Sequence, residues 1–270
     1  MSSSAGLPPL LLIGGGKMGG AMLAGWVERG LAPSFLVDPS PAAVGLAGGS
    51  VTVVPGLDEV PAGFAPACVV LAVKPQQADA VLPGLARVSQ GAVVVSIMAG
   101  VTVARLRAAL GGAVVVRAMP NTPAAIRQGI TVGYAGPGVS DQQRALADSL
   151  LTAVGEVAWV DDEALIDPVT AISGGGPAYV FLLAELLERA GLEQGLPPAL
   201  ARQLARVTVA GSGALLAASD SDASVLRVAV TSPGGTTERA LAVLMDGAAW
   251  PTAVSAAIMA ATARSRELGR

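Results

Sequence analysis

The segment 230–237, Val-Thr-Ser-Pro-Gly-Gly-Thr-Thr, contains the residue types most suited to holding a small anion. Pro233 fixes one backbone angle, Gly234 and Gly235 permit a sharp turn, and Thr236 and Thr237 stand where a helix would begin. Such a turn directs several backbone N–H groups at one point, beside hydroxyl groups. We therefore predict an anion site of carboxylate size that needs no charged side chain. An ordinary loop followed by a helix cap is the alternative for this segment taken alone.

Another glycine-rich turn, near the start of the chain, has the spacing G-x-G-x-x-G at Gly14, Gly16 and Gly19. An apolar run precedes it and a helical pattern follows it, as in dinucleotide-binding folds. There the first glycine permits the tight turn, the second lets backbone approach a pyrophosphate, and the third lets the helix pack closely. Asp38 ends the next strand-like run, where an acidic side chain would meet the ribose hydroxyls. The pattern predicts a dinucleotide site.

The residue types that the chain lacks narrow its chemistry. With no histidine among 270 residues, Ser-His-Asp catalysis, histidine bases and the usual metal sites are excluded, and we expect no metal. Lys17 and Lys74 are the only lysines. Hydroxyls, carboxylates, backbone dipoles and a cofactor remain, and hydride transfer suits them because a nicotinamide supplies the difficult chemistry.

The composition of the chain limits the partners that it can bind and the cellular compartment in which we expect it. Charged residues make up 14% of the chain and the net charge is −3, which is unlike a nucleic-acid-binding protein. Cys68 is the only cysteine, so the chain has no internal disulfide and a cytoplasmic location is expected. Glycine, proline or charge interrupts the apolar stretches, so we expect no membrane span.

The arrangement of these residues predicts two domains. Between residues 10 and 160, eight β-rich runs alternate with helical segments, and the early runs are continuously apolar, as in a covered parallel sheet. This predicts an α/β Rossmann-type dinucleotide-binding domain over residues 1–160. Residues 161–270 show only helical patterns, several apolar on more than one face, which predicts an all-α domain that forms a dimer.

Three segments, 72–75, 97–99 and 119–122, follow successive strand-like runs of the first domain. Ligands of such sheets lie at the carboxyl ends of the strands, so the three segments together favour a cofactor wall over three ordinary turns. Lys74 is as consistent with an isolated surface lysine as with a cofactor contact. Glycines 174–176 permit a close approach by either another helix or the nicotinamide.

On these motifs the chain resembles the pyrroline-5-carboxylate reductase family. The resemblance rests on five blocks in the family's order: Ile13-Gly-Gly-Gly-Lys-Met, Ala72-Val-Lys-Pro, Met119-Pro-Asn-Thr-Pro, Ala171-Ile-Ser-Gly-Gly-Gly-Pro-Ala-Tyr and Val230-Thr-Ser-Pro-Gly-Gly-Thr-Thr. It spans nearly the whole chain. It implies reduction of 1-pyrroline-5-carboxylate to L-proline with NADPH or NADH, a helical dimerisation domain, and a homodimer or a ring of dimers such as a decamer.

The resemblance also implies roles for individual residues. Ser232 and the backbone of Gly234, Gly235 and Thr236 would hold the substrate carboxylate, and Thr237 would hydrogen-bond the ring nitrogen as the catalytic residue. Two acidic residues, Glu163 and Asp220, align with positions near the family's substrate. The residues implied to contact the dinucleotide are Gly14, Gly15, Gly16, Lys17, Met18, Gly19, Ala72, Val73, Lys74, Pro75, Ile97, Met98, Ala99, Met119, Asn121 and Thr122.

The chain departs from the family pattern near the adenosine end of the cofactor. Asp38 stands where many members have a small or basic residue that accepts the phosphate of NADPH, so Asp38 favours NADH, although Ser40 could still reach a phosphate. Leu57 replaces an asparagine that often contacts this end of the cofactor.

Two other functions are compatible with parts of the sequence. A β-hydroxyacid-type dehydrogenase shares the two-domain plan, but enzymes of that type use a lysine on a helix of the second domain. The two lysines of this chain, Lys17 and Lys74, both lie in the predicted first domain. A non-catalytic dinucleotide-binding protein would not require polar groups in both glycine turns. Oxidation of NADH or NADPH only on addition of pyrroline-5-carboxylate distinguishes reductase from sensor.

Overall fold

A computed structural model of the chain describes residues 6–269 and divides it into two compact units. The first unit comprises residues up to Gly174 together with the segment from Ala261 onward, and the second comprises Gly175–Ala260. The first unit is α/β and the second consists of helices.

The first unit is built on one eight-stranded sheet. Its strands are β1 (Leu10–Ile13), β2 (Ser34–Val37), β3 (Val51–Val54), β4 (Cys68–Leu71), β5 (Val93–Ser96), β6 (Val115–Met119), β7 (Gly129–Ala135) and β8 (Gly155–Val160), in the spatial order β3-β2-β1-β4-β5-β6-β7-β8. The strand order reverses between β1 and β4. In sheets of this kind the ligand crevice lies at such a reversal, outside the carboxyl ends of the strands.

Helices cover both faces of this sheet. They are α1 (Lys17–Glu28), α2 (Ala78–Leu85), α3 (Val103–Ala109), α4 (Asp141–Leu151) and the short α5 (Ile166–Val169). Two clusters of buried apolar residues result, one with Trp26 and Leu12 and the other with Leu11 and Leu106. The two clusters take alternate residues of β1 because successive side chains of a strand point to opposite faces. This explains why the early strands are apolar throughout.

Cys68 belongs to this core and is fully buried. Burial raises the pKa of its thiol to about 12, although a backbone hydrogen bond from Val95 opposes the shift. The thiol therefore stays protonated at neutral pH and is not a nucleophile.

The sheet differs from a wholly parallel one at β7. This strand runs antiparallel to β6, with Arg117 opposite Tyr134, and parallel to β8. The connection from β6 to β7 is too short for a full crossover helix and contains only the 3₁₀ turn Thr122–Ile126. Arg127 then adopts a left-handed backbone conformation with φ of +62° as the chain enters β7.

The second unit contains α6 (Gly176–Glu193), α7 (Pro198–Ala217), α8 (Ala223–Ala229), α9 (Thr236–Leu244) and most of α10 (Trp250–Leu268). Helices α6 and α7 pack against each other. Large apolar side chains remain exposed on them, among them Phe181 at 68% and Val207 at 64%. Large exposed apolar surfaces on a single chain are typical of sites that contact another protein or a membrane.

The predicted domain boundary and the compact units divide the chain at different places. The prediction separates residues 1–160 from residues 161–270, whereas the first unit also includes 161–174 and the last turns of α10. Both added segments pack on the first unit. In the first segment, Ile166 is buried against Met119 and Val132. In the second segment, the Ser265 hydroxyl donates a hydrogen bond to Asp167.

One helical stretch bears on the expectation that the chain has no membrane span. The continuous helical stretch Glu163–Glu193 is long and apolar enough to cross a membrane by length and composition alone. The glycines at 174–176 do not interrupt it, because the π-helical segment Thr170–Gly174 leads directly into α6.

Candidate functional site

The first glycine-rich turn joins β1 to α1 and leaves open space at one glycine. Gly14 has φ of +98°, and a β-carbon on it would lie 2.9 Å from the Ala72 carbonyl oxygen. A β-carbon on Gly19 would collide with the Gly14 carbonyl oxygen. Within residues 6–269, no atom lies within 4 Å of a β-carbon placed on Gly16. Gly14 and Gly19 are thus needed for the fold, and Gly16 faces the space that a ligand would fill.

This turn fits the pyrophosphate of a dinucleotide. Gly16 is the N-cap of α1 and provides no side-chain cap, so the amides of the first helical turn are available to an anion. Lys17 is exposed beside them, while Met18 packs against the core. Ala72 and Val73, at the end of β4, line the other side of the turn. The reversal of strand order between β1 and β4 places the turn in the expected crevice.

Asp38 is fastened to the glycine-rich turn. Its Oδ2 accepts a hydrogen bond of 2.6 Å from the Gly15 amide, and its Oδ1 accepts one of 2.8 Å from the Ser40 amide. Asp38 therefore presents a negative charge beside the turn and also orders it. Leu57, in contrast, packs against the core and offers no polar group.

At the other strand ends, mainly backbone groups are available to a ligand. Lys74 is exposed, and its amide donates to Gln77 Oε1 at the start of the 3₁₀ turn Pro75–Gln77. The Met98 and Met119 side chains are buried in the core at 1% and 6% exposure, which leaves their backbone for any ligand. The side-chain oxygen of Asn121 accepts a hydrogen bond of 3.0 Å from the Ile130 amide.

Ile97 and Ala99 are half-buried, Thr122 is exposed, and Gly174 would place a β-carbon 3.6 Å from the Met119 sulfur. This is an ordinary contact distance, so within the described chain Gly174 has room for a β-carbon.

The structure reveals a buried arginine for which the sequence analysis has no role. Arg117 lies on β6 with its side chain 3% exposed, and its Nη1 donates to Glu163 Oε1 at 3.0 Å. The same oxygen accepts a hydrogen bond of 2.8 Å from the Val103 amide. Arg117 Nη2 lies 3.8 Å from Asp167 Oδ1, which also accepts from the Ser265 hydroxyl at 2.7 Å. The sequence gives one indication of this cluster, which is a charged residue inside the apolar run of β6. A buried arginine requires carboxylates to balance its charge.

This cluster changes what Glu163 can do. One of its oxygens is committed to Arg117 and Val103, so Glu163 joins β6 to the start of α3. The side chain is 24% exposed, which leaves its other oxygen the freer of the two. Among the described residues, Arg117 Nε and Nη2 have no hydrogen-bond acceptor.

The second glycine-rich turn has the backbone that its sequence predicts. Gly234 has φ of +71°, the Gly235 amide donates to the Ser232 carbonyl at 3.0 Å, and Gly235 is the N-cap of α9. Gly235 supplies no side-chain cap. The turn therefore ends at an exposed helix N-terminus, where the amides of Thr236 and Thr237 begin the helix.

Two of the three amides assigned to the substrate carboxylate have acceptors within the chain. The Gly235 amide is used by the turn itself, and the Gly234 amide donates to Glu238 Oε2 at 2.9 Å. Glu238 is not among the residues predicted for this turn, although an acidic residue three positions after an N-cap commonly accepts a hydrogen bond from nearby backbone. Ser232, Thr236, Thr237 and, in the loop after α7, Asp220 are all exposed.

Comparison with known proteins matches both parts of the chain. Residues 163–268 match the family model for pyrroline-5-carboxylate reductase dimerisation, and residues 10–100 match that for NADP oxidoreductase, coenzyme F420-dependent. The pyrroline-5-carboxylate reductase of Synechocystis sp. is 38% identical over 262 residues, covering 96% of this chain and 97% of the relative.

Solved structures agree with these matches. A pyrroline-5-carboxylate reductase from Coxiella burnetii is 34% identical with a TM-score of 0.87, over 97% of this chain and 99% of that one. The Plasmodium falciparum pyrroline carboxylate reductase with NADP bound is 27% identical with a TM-score of 0.83, over 97% and 98% of the two chains. The chain therefore belongs to the pyrroline-5-carboxylate reductase family.

Proposed function

We propose that the two glycine-rich turns divide the work of reducing 1-pyrroline-5-carboxylate to L-proline. The chain is an oxidoreductase of this family and uses NADPH or NADH. The turn at Gly14–Gly19 would bind the pyrophosphate, and the turn at 232–237 would bind the substrate carboxylate. The open space at Gly16 and the exposed, uncapped N-terminus of α9 support this division.

A bound reduced nicotinamide supplies the hydride that C5 of the cyclic imine receives. The residues of the chain position the imine for that transfer. The amides of Thr236 and Thr237 would donate hydrogen bonds to the carboxylate at the N-terminus of α9, with the Ser232 hydroxyl beside them. The Thr237 hydroxyl would hold the ring nitrogen.

This division of labour requires no histidine. An imine nitrogen is protonated readily near neutral pH, so the site needs no strong general acid. Positioning alone contributes about 7 kcal/mol or more in favourable cases. Two fixed points on the substrate, the carboxylate and the nitrogen, would restrict C5 to rotation about the line that joins them.

The helical unit would form the contact between two copies of the chain. The dimerisation match covers residues 163–268, and exposed apolar residues such as Phe181 lie on α6 of that unit. We propose that the apolar stretch Glu163–Glu193 is covered by a second copy of the chain and not by lipid. We also propose, from the family resemblance, that the homodimer assembles further as a ring such as a decamer and that the protein is cytoplasmic.

Substitutions of Thr237 test the assignment. We expect Thr237→Ala to lower kcat on pyrroline-5-carboxylate by about tenfold to a hundredfold, the usual cost of removing a hydrogen bond to a charged group. Thr237→Ser keeps the hydroxyl and should retain most of the activity. The dissociation constants for NADH and NADPH should be unchanged in both variants. Unaltered kcat in Thr237→Ala would refute the role of this hydroxyl.

A further inference from the structure

Glu238 places a carboxylate of the protein on the turn that we assign to the substrate carboxylate. Its Oε2 accepts the Gly234 amide at 2.9 Å. Because Gly235 is the N-cap of α9, Glu238 occupies the third helical position. In the usual capping box such a residue accepts from the N-cap amide itself. Here that amide donates to Ser232, and Glu238 reaches one residue further back.

The charge of Glu238 is not neutralised within the chain. Among residues 6–269 no lysine or arginine forms an ion pair with it, and the side chain is exposed. The positive end of the α9 dipole and the Gly234 amide compensate only part of this charge. A second carboxylate bound at the same helix N-terminus would therefore meet both a competitor for the Gly234 amide and a like charge.

We propose that Glu238 is a specificity-determining residue that competes, as an internal carboxylate, with the carboxylate of the imino acid for this turn. The inference rests on the proposed function of the turn. It concerns ligands that carry a carboxylate, namely the substrate and the product proline. Glu238 weakens the binding of both, since each must either displace it from Gly234 or bind beside it.

Two variants separate charge from hydrogen bonding. Glu238→Gln removes the charge but keeps an oxygen that can accept the Gly234 amide, and Glu238→Ala removes both. We expect the KM for pyrroline-5-carboxylate and the inhibition constant of L-proline to fall about fivefold in Glu238→Gln, the effect of one unit charge at close range in water. Glu238→Ala should show at least the same fall.

The mechanism also predicts which quantities stay constant. The kcat/KM for 1-pyrroline, a cyclic imine without the carboxylate, should be the same in wild type and both variants. Raising the salt concentration should bring the wild-type KM for pyrroline-5-carboxylate toward that of Glu238→Gln, because salt screens exposed charges. Asp246→Asn is the matched control: it removes one exposed charge of the same unit, on a side chain that likewise accepts a backbone amide, that of Ala248 at 2.9 Å, and it should leave every constant unchanged.

Three results would overturn the proposal. They are a KM that rises or stays constant in Glu238→Gln, a parallel change with 1-pyrroline, and a KM ratio that does not depend on salt. Each leaves the proposed function intact as long as the wild type oxidises NADH or NADPH on addition of pyrroline-5-carboxylate. If the wild type fails that assay, the proposed function itself is wrong. Thermal melting of each variant shows whether α9 remains folded.

Discussion

Replacing Gly16 by alanine should separate cofactor binding from folding. Gly16 has φ of −63° and ψ of −171°, which alanine adopts freely, and no atom lies within 4 Å of the added β-carbon. Loss of unfolded-state entropy stabilises such a variant by about 0.4–1 kcal/mol. Replacing an N-cap glycine by alanine costs a similar amount. We therefore expect the free energy of unfolding to change by less than about 1 kcal/mol.

The effect on the dinucleotide should be much larger. The new methyl group fills the space where backbone must approach the pyrophosphate, and forcing a methyl group into a packed contact costs about 1–3 kcal/mol. Binding of NADH and NADPH should weaken by about fivefold to a hundredfold. Titration calorimetry measures the binding, and thermal unfolding of the free protein measures the stability.

Gly19→Ala is the matched comparison. Its β-carbon would collide with the Gly14 carbonyl oxygen, so that variant should lose stability before any ligand is added. If Gly16→Ala binds dinucleotide as well as wild type, or melts as early as Gly19→Ala, our assignment of the open space to the pyrophosphate is wrong.

Two further substitutions test charges of the first unit. Asp38→Ala removes a charge that would repel the phosphate of NADPH and frees the Ser40 amide, so the ratio of kcat/KM for NADPH to that for NADH should rise about tenfold. The control variant Asp161→Ala, at an exposed position of the same unit, should leave this ratio unchanged. An unchanged ratio in Asp38→Ala would contradict the prediction. Arg117→Met leaves two carboxylates without their cation and should lower the free energy of unfolding by about 3 kcal/mol, the lower end for a broken buried pair because both carboxylates are partly exposed. The double variant Arg117→Met/Glu163→Gln should recover part of that loss in urea melts, and no recovery would show that the pairing is not the source of the stability.

The sequence predicts the sheet well because its strands carry two independent signals. Leu10–Ile13 and Cys68–Leu71 are apolar at every position, as burial on both faces requires, and a glycine or proline follows each within a few residues. All eight β-rich runs are strands in the structure. The glycine positions in both turns are equally predictable, since φ values of +98° at Gly14 and +71° at Gly234 exclude most other residues.

Side-chain partners are less predictable because they depend on tertiary contacts. Nothing near Arg117 in sequence indicates its pairing with Glu163, which is 46 positions away. Met98 illustrates the opposite problem: it belongs to a motif that implies a cofactor contact, yet its side chain is 1% exposed in the core. The direction of β7 was likewise not evident, since an alternating strand pattern is compatible with either orientation.

In the proposed function, the two glycine-rich turns bind two different anions by the same physical means. In each, glycine is the N-cap, and neither Gly16 nor Gly235 provides a side chain that satisfies the amides of the helix it begins. Helix α4 shows the alternative, because Ser140 accepts the Gln143 amide and occupies that end with the protein's own oxygen. A glycine N-cap keeps the amides for a ligand at a cost of only a few tenths of a kcal/mol in helix stability. Glu238 is significant for the same reason, because by accepting the Gly234 amide it partly restores at α9 the internal acceptor that a glycine N-cap lacks. Proline should therefore bind more weakly to the wild type than to Glu238→Gln.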